Sequence, residues 1–233
     1  MAAKIGFLTS LGSIVTVPYL EGLESHDLKA SAIFIDGSLP EKSMQIIRER
    51  LGNTFKNRDL MDISSDIPCY FVQNHNSENS IKLYRALGLD YLVNAGTPRI
   101  LKEDTLRSTK GVINCHPGIL PLYRGCSAVE WSIYNNDPVG ATAHFMNSKI
   151  DEGPIIYFEK LNVEIGEVYS QIRQKMISHQ AEVLATALSI AVKDNLLPET
   201  MAPQEQGKYY KPIPDELLAE VKRKLELGQY LSK

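Results

Sequence analysis

Short apolar runs alternate with amphipathic stretches along the first half of the chain, a spacing that predicts strands joined by helical crossovers. Residues 4–9 (KIGFLT) read as a strand that turns at Ser10-Leu11-Gly12-Ser13 into a helix over 18–23. A second run at 32–35 leads through Asp36-Gly37 to a helix over 40–51, which sets a strand–helix–strand rhythm. Residues 52–66 are polar and aperiodic and read as an irregular excursion. The rhythm resumes with a strand at 69–73, a helix at 78–87, a strand at 91–94, a short helix at 103–106 and a strand at 111–116. Beyond Gly125 a helix is expected over 128–134. In the next strand, 139–147, Val139, Ala141, Ala143 and Phe145 alternate with Thr142 and His144, the mark of a half-buried strand. A bend over 149–153, a strand at 154–158, one long helix over 166–195 and a terminal helix near 215–227 complete the expectation.

This order predicts an α/β fold: a Rossmann-like, open, mostly parallel sheet with flanking helices and an antiparallel edge. The chain has 233 residues, enough for one domain and a short appendage. Residues 1–195 are expected to form that domain and 196–233 an extension ending in a helix.

Composition removes several classes. The chain is 43% hydrophobic and 23% charged, with no apolar run of membrane-spanning length, so no membrane partner is expected. Lys and Arg total 25 against 28 Asp and Glu, a net charge of −3 that offers no general excess of cations for nucleic acid. The start lacks the apolar core of a secretory signal, which predicts a cytoplasmic location. Cys69, Cys115 and Cys126 form neither a CxxC pair nor an even set, so they read as reduced thiols rather than disulfides or zinc ligands, and no metal site is expected.

The chemistry-bearing residues concentrate at the carboxyl end of the 111–116 strand, where open α/β sheets place their ligands. The two-residue strand period puts Asn114 and His116 on one face and Ile113 and Cys115 on the other, and Pro117 keeps His116 extended. An amide and an imidazole then share one crevice, although the same pair also serves a strand end that merely satisfies its own backbone. Cys115 points away and is a poor nucleophile candidate. Asp151, in the Asp151-Glu152-Gly153-Pro154 bend, is an ordinary turn residue unless a histidine needs a carboxylate beside it. His26, His75 and His179 have no companions at ligand spacing.

The segments INCHPGILPLYRG (113–125) and AHFMNSKIDEGPII (143–156), preceded by NAGTPRIL (94–101), resemble in order and spacing the folate-dependent formyltransferase family. The resemblance covers residues 90 to 160 strongly and the first strands weakly. It implies a catalytic set of Asn114, His116 and Asp151, with 10-formyltetrahydrofolate as formyl donor. It also implies a folate pocket drawing on Asn94, Gly96, Pro98, Arg99, Ile100, Leu101, His144 and Asn147. A neutral amine attacking a formyl carbonyl creates an oxyanion and a cationic nitrogen. An amide donor and an imidazole–carboxylate pair suit that charge pattern, and no covalent enzyme intermediate is needed.

The acceptor is less constrained. Family members that act on methionyl-tRNA carry a further C-terminal domain, for which residues 196–233 are too few. Formyltetrahydrofolate hydrolases carry an extra N-terminal domain, whereas this chain opens on the first strand. In the glycinamide ribonucleotide enzymes a loop with several glycines after that strand cradles phosphate; here Ser10, Gly12 and Ser13 form a version with a single glycine. Tyr209 and Tyr210, in GKYYKP (207–212), are placed either to stack on a nucleotide base or to seal a core edge. The expected partner is thus a small-molecule amine, foremost a nucleotide-linked amino sugar and next glycinamide ribonucleotide, with a homodimer left open. A folate-binding regulatory protein without catalysis is the alternative class.

Overall fold

The computed structural model describes residues 2–52, 55–58, 60 and 66–230. Its order is β1 (Ile5–Leu11), α1 (Thr16–Ser25), β2 (Ala30–Ser38), α2 (Glu41–Leu51), β3 (Cys69–Phe71), α3 (Glu78–Ala86), β4 (Tyr91–Asn94), α4 (Glu103–Leu106), β5 (Val112–His116), β6 (Arg124–Gly125), α5 (Ala128–Asn135), β7 (Gly140–Phe145), β8 (Ile155–Lys160), α6 (Tyr169–Lys193), β9 (Tyr209–Tyr210) and α7 (Asp215–Glu226). Much of the irregular stretch expected over 52–66 lies outside the described residues.

Seven strands form one sheet in the order β3-β2-β1-β4-β5-β7-β8. The pairs from β3 to β5 are parallel, while β7 runs antiparallel to β5 and β8 antiparallel to β7. The chain steps outward from β1 to β3 and then returns to the other side of β1 with β4. That reversal makes the carboxyl ends of β1 and β4 the switch point of the sheet, the place where open α/β sheets hold their ligands.

Local chemistry accounts for the elements. β1 and β4 are covered on both faces, and their apolar runs are nearly continuous as buried parallel strands require. α3 begins at Ser77, whose hydroxyl accepts the Ser80 N–H at 3.2 Å, with Glu78 in its first turn and Arg85 in its last. α6 spans 25 residues and buries Ile172, Met176, Val183, Leu184 and Leu188 against α1 and the sheet.

β7 departs from the expected half-buried strand, since all six of its residues are buried. Ala141, Ala143 and Phe145 face the main core. On the other side the loop after β5 folds over the strand: the Thr142 hydroxyl donates to Gly118 O at 2.8 Å and accepts the Leu120 N–H at 3.1 Å. Polar residues on that face are buried because they are bonded, which alternation of residue type cannot distinguish from exposure. The tail from residue 196 also returns to the main core, where Ile213, Val221, Leu225 and Tyr230 are buried.

Leu184, fully buried on α6 in the main core, should report on this packing. Leu184→Ala is expected to cost about 2–5 kcal/mol of unfolding free energy, measured by urea denaturation, because the cavity it leaves cannot refill.

Candidate functional site

The backbone at the end of β4 fixes the first polar side chain. Asn94 Oδ1 accepts the N–H groups of Gly96 and Thr97 at 3.3 and 3.1 Å, so its amide nitrogen must face the other way. There it donates to Asn114 Oδ1 at 2.9 Å. This in turn orients Asn114, whose Nδ2 donates to His144 Nε2 at 3.1 Å. The chain closes on His144 Nδ1, which donates to Phe145 O at 2.8 Å and thereby leaves Nε2 as the acceptor. Every amide and ring orientation in the row follows from backbone groups at its two ends. One hydrogen of the Asn114 amide nitrogen has no partner within the row.

His116 is 5% exposed. Its Nε2 donates to Tyr123 O at 2.7 Å, which leaves Nδ1 as the unprotonated nitrogen of the neutral ring, 3.4 Å from Asp151 Oδ2. Burial pushes the imidazole below its ordinary pKa, and the charge of Asp151 and the Tyr123 carbonyl oppose this without cancelling it. A proton gained at Nδ1 would make an ion pair with Asp151. Gly118 is the residue that lets the ring lie there, since a Cβ on it would sit 2.8 Å from His116 Nε2 and 2.6 Å from Ala128 Cβ.

Asp151 has φ +54°, the left-handed region that costs a non-glycine residue about 1 kcal/mol. Its Oδ2 accepts the Gly125 N–H at 2.9 Å, and its Oδ1 lies 3.6 Å from His144 Nε2, beyond hydrogen-bond range. Burial alone would raise its carboxyl, but the Gly125 N–H and the positive charge that either neighbouring histidine carries when protonated outweigh burial and hold it below the ordinary carboxylate value. Gly125 in its turn belongs to β6, which pairs with β9 at Tyr209–Tyr210. Its φ of +91° and the Tyr210 carbonyl, 2.4 Å from where a Cβ would stand, leave room only for glycine.

The structure therefore brings Asn94, Asn114, His116, His144 and Asp151 together, four of them from β4, β5 and β7 and one from the bend after β7. Cys115 is turned away and buried, with its thiol pushed far up by desolvation. Around the cluster, Gly96 has φ +94° and packs under Ser13. Arg99 spends Nε and Nη2 on Asp36, at 2.8 and 2.9 Å. Ile100 is 85% exposed while Leu101 is buried. Pro98 lies in the same loop. Asn147 borders two cavities of about 740 and 520 Å3.

Ser10, Gly12 and Ser13 line a separate cavity of about 270 Å3 with Thr16 and Arg58. The hydroxyls of Ser10 and Ser13 donate to Gly96 O and Ala95 O, each at 2.8 Å, so they knit the first loop to the β4 loop. Tyr209 is half exposed, its ring against Gly125, and Tyr210 stacks between Tyr123 and Trp131. Of the two roles foreseen for this segment, Tyr210 takes the sealing one.

Sequence reasoning missed Tyr123, which acts through its carbonyl, and Gly125, which acts through its N–H; backbone groups leave no residue-type signal. It also left His75 without a companion. His75 is fully buried and bonded to Thr97 and Phe34 O, at 2.6 and 3.0 Å.

Comparison with known proteins gives concordant likenesses. The family model described as Formyl transferase matches residues 45–188. The methionyl-tRNA formyltransferase of Clostridium tetani is 26% identical over 153 residues, covering 65% of this chain and 49% of that protein. The chain thus spans about half the length of this curated relative. Among solved structures, glycinamide ribonucleotide transformylase 1 from Symbiobacterium toebii has a TM-score of 0.64 at 18% identity, covering 88% of this chain and 94% of that one. The formyltransferase PseJ from Anoxybacillus kamchatkensis, in complex with UDP-4,6-dideoxy-4-formamido-L-AltNAc and tetrahydrofolate, has a TM-score of 0.57 at 16% identity, covering 99% and 98%. These last two likenesses bear out the expected fold.

Asp151→Asn removes the negative charge facing His116 Nδ1. The His116 imidazole should then titrate at a lower pH than in the wild type, because its cation loses a stabilising neighbour. The shift is read from the ring C–H resonances by NMR, and an unchanged or raised midpoint would contradict the geometry.

Proposed function

The chain belongs to the formyl transferase family, whose model covers well over half of it, and from that premise we propose that it moves a formyl group from 10-formyltetrahydrofolate to a small-molecule amine. The observation that carries this reading is the fixed row Asn94–Asn114–His144 beside the His116–Asp151 pair.

Attack of an amine on a formyl carbon puts negative charge on the oxygen and positive charge on the nitrogen. The uncommitted Asn114 N–H is a preset donor for that oxygen, and it needs no reorganisation because its own carbonyl is held by Asn94. His116, neutral and with Nδ1 unprotonated, takes the proton that the attacking nitrogen loses and passes it to the folate nitrogen as the bond between that nitrogen and the formyl carbon breaks, so that tetrahydrofolate leaves and the ring is neutral again. Asp151, ionised and 3.4 Å away, balances the imidazolium. The reduced folate fits the chain's own residues: Ile100, its carbonyl bonded to Asn76, offers an exposed apolar face, and Asn114 offers the donor.

For the acceptor, the likeness to PseJ over nearly the whole of both chains supports a nucleotide-linked amino sugar. The half-exposed Tyr209 ring, packed on the Gly125 that anchors Asp151, supports it too, since it supplies a stacking surface beside the reacting centre. Glycinamide ribonucleotide is the second reading, favoured by the Symbiobacterium toebii likeness and weakened by the single glycine of the first loop. The curated methionyl-tRNA relatives give no support to the expectation that nucleic acid plays no part, so an aminoacyl-tRNA belongs among the acceptors tested.

The test is incubation of the chain with 10-formyltetrahydrofolate and UDP-linked amino sugars, glycinamide ribonucleotide or methionyl-tRNA, with products read by mass spectrometry. One of the amino sugars should gain a formyl group. Folate binding without any formylated product would favour the regulatory-protein reading. His116→Ala and Asn114→Ala should each lower turnover by about 100-fold or more while tetrahydrofolate still binds, the scale of a lost proton acceptor or oxyanion donor. Near-normal turnover in either variant removes that residue from the mechanism.

A further inference from the structure

The loop after β4 is gripped from outside the reacting cluster by three residues that no motif singles out. Asp36, at the end of β2, is buried, and its carboxylate takes the bidentate pair from Arg99 and the backbone N–H of His75 at 3.0 Å. His75 Nε2 donates to Phe34 O, which leaves Nδ1 to accept the Thr97 hydroxyl at 2.6 Å. That same hydroxyl oxygen accepts the Arg99 N–H at 3.3 Å. Asn76 holds the far side: its Nδ2 donates to Ile100 O at 3.0 Å, and its Oδ1 accepts the Lys102 N–H at 2.8 Å and the Thr105 hydroxyl at 2.9 Å.

Residues 97, 99, 100 and 102 are thus each bonded to β2 or to the turn before α3. A loop held this completely has few conformations left to lose when a ligand binds. What the cage holds outward is an isoleucine. Ile100 is 85% exposed between bonded neighbours, in a loop whose first amides also set the orientation of Asn94 and so of Asn114. An apolar side chain exposed in water contributes little to the folded state. It does gain from covering a flat aromatic ligand.

We infer that Asp36, His75 and Asn76 are positioning residues that preorganise the 97–102 loop for the reduced-folate donor, with Arg99 serving as the strut between Asp36 and that loop. This rests on the formyl-transfer reading proposed above. It changes the part expected of Arg99, two of whose donors are committed to Asp36. The donor's affinity then depends on residues that do not touch it as well as on those that do.

The experiment uses the full chain and Asp36→Asn and Asn76→Ala variants, with tetrahydrofolate binding measured by calorimetry. Steady-state constants are measured for 10-formyltetrahydrofolate and for whichever acceptor the wild type formylates. Each variant should weaken tetrahydrofolate binding and raise the donor KM by about tenfold, with acceptor KM near wild type, because ordering the loop becomes part of the cost of binding. General damage to the fold would move both substrates together. Near-ultraviolet circular dichroism checks that the variants are folded, and if Asp36→Asn does not fold, Asn76→Ala, a change at the cage's outer side, decides. Folded variants that bind tetrahydrofolate as the wild type does overturn the cage and leave the formyl-transfer reading standing. A wild type that binds no tetrahydrofolate overturns that reading and this one with it.

Discussion

The register between β5 and β7 sets Asn114 opposite His144 and His116 opposite Thr142. In an antiparallel pair a slip of one residue would send these side chains to the opposite face, burying the polar set in the apolar core and turning Ile113, Cys115 and Phe145 outward. The register is held because both faces of β7 are committed. Ala141, Ala143 and Phe145 lie in the main core on one side, and Thr142 bonds the loop after β5 on the other. A strand buried on both faces has no weakly specified side, so the pairing that builds the site is also the pairing that completes the core.

From that register the rest of the cluster follows by hydrogen-bond logic. Once Asn114 meets His144, one of its amide groups is fixed, and the end of β4 fixes the other through Asn94. Polar groups buried in such a row are costly unless they are bonded, and the orientation that bonds them leaves one Asn114 N–H outside the row. Stability and chemistry select the same orientation. The His116–Asp151 pair differs. It is held apart at 3.4 Å with no proton between the two in the neutral state, and the bend stores a left-handed Asp151 to keep it so.

Much of this could be read from the residues, and the part that could not has a common physical origin. The strand and helix rhythm was legible because buried parallel strands carry continuous apolar runs and α6 repeats its apolar positions at helical spacing. The shared face of Asn114 and His116 followed from the strand period, and Cys115 is turned away as that period requires. Asp151 came only from family resemblance, since a left-handed bend residue looks like any turn aspartate. The Asp36–Arg99 contact was invisible for a related reason: its partners are 63 residues apart and meet through topology alone. His75 looked solitary because its partners are a hydroxyl and a backbone carbonyl, not residues with ligand spacing. β7 looked half-buried because residue type records polarity, and a bonded polar side chain in the interior has the same letter as one in water.

The two-stranded β6–β9 pairing is the remaining structural surprise, and it changes how the tail should be regarded. Asp151 depends on the Gly125 N–H, and Gly125 keeps its unusual backbone beneath the Tyr210 carbonyl. The tail is fastened on several sides: Arg124 donates to Gly207 O, Gln204 donates to Gly153 O, and Tyr210 stacks on Tyr123, whose own carbonyl holds His116. Both members of the His116–Asp151 pair are therefore anchored to backbone groups of 123–125, and that segment is anchored in turn by the tail strand at 209–210. A segment that reads as an appendage thus supports the His116–Asp151 pair. Its Tyr209 is half exposed while the neighbouring Tyr210 is packed on Tyr123, so an exposed ring and a supporting one are adjacent residues of one short element.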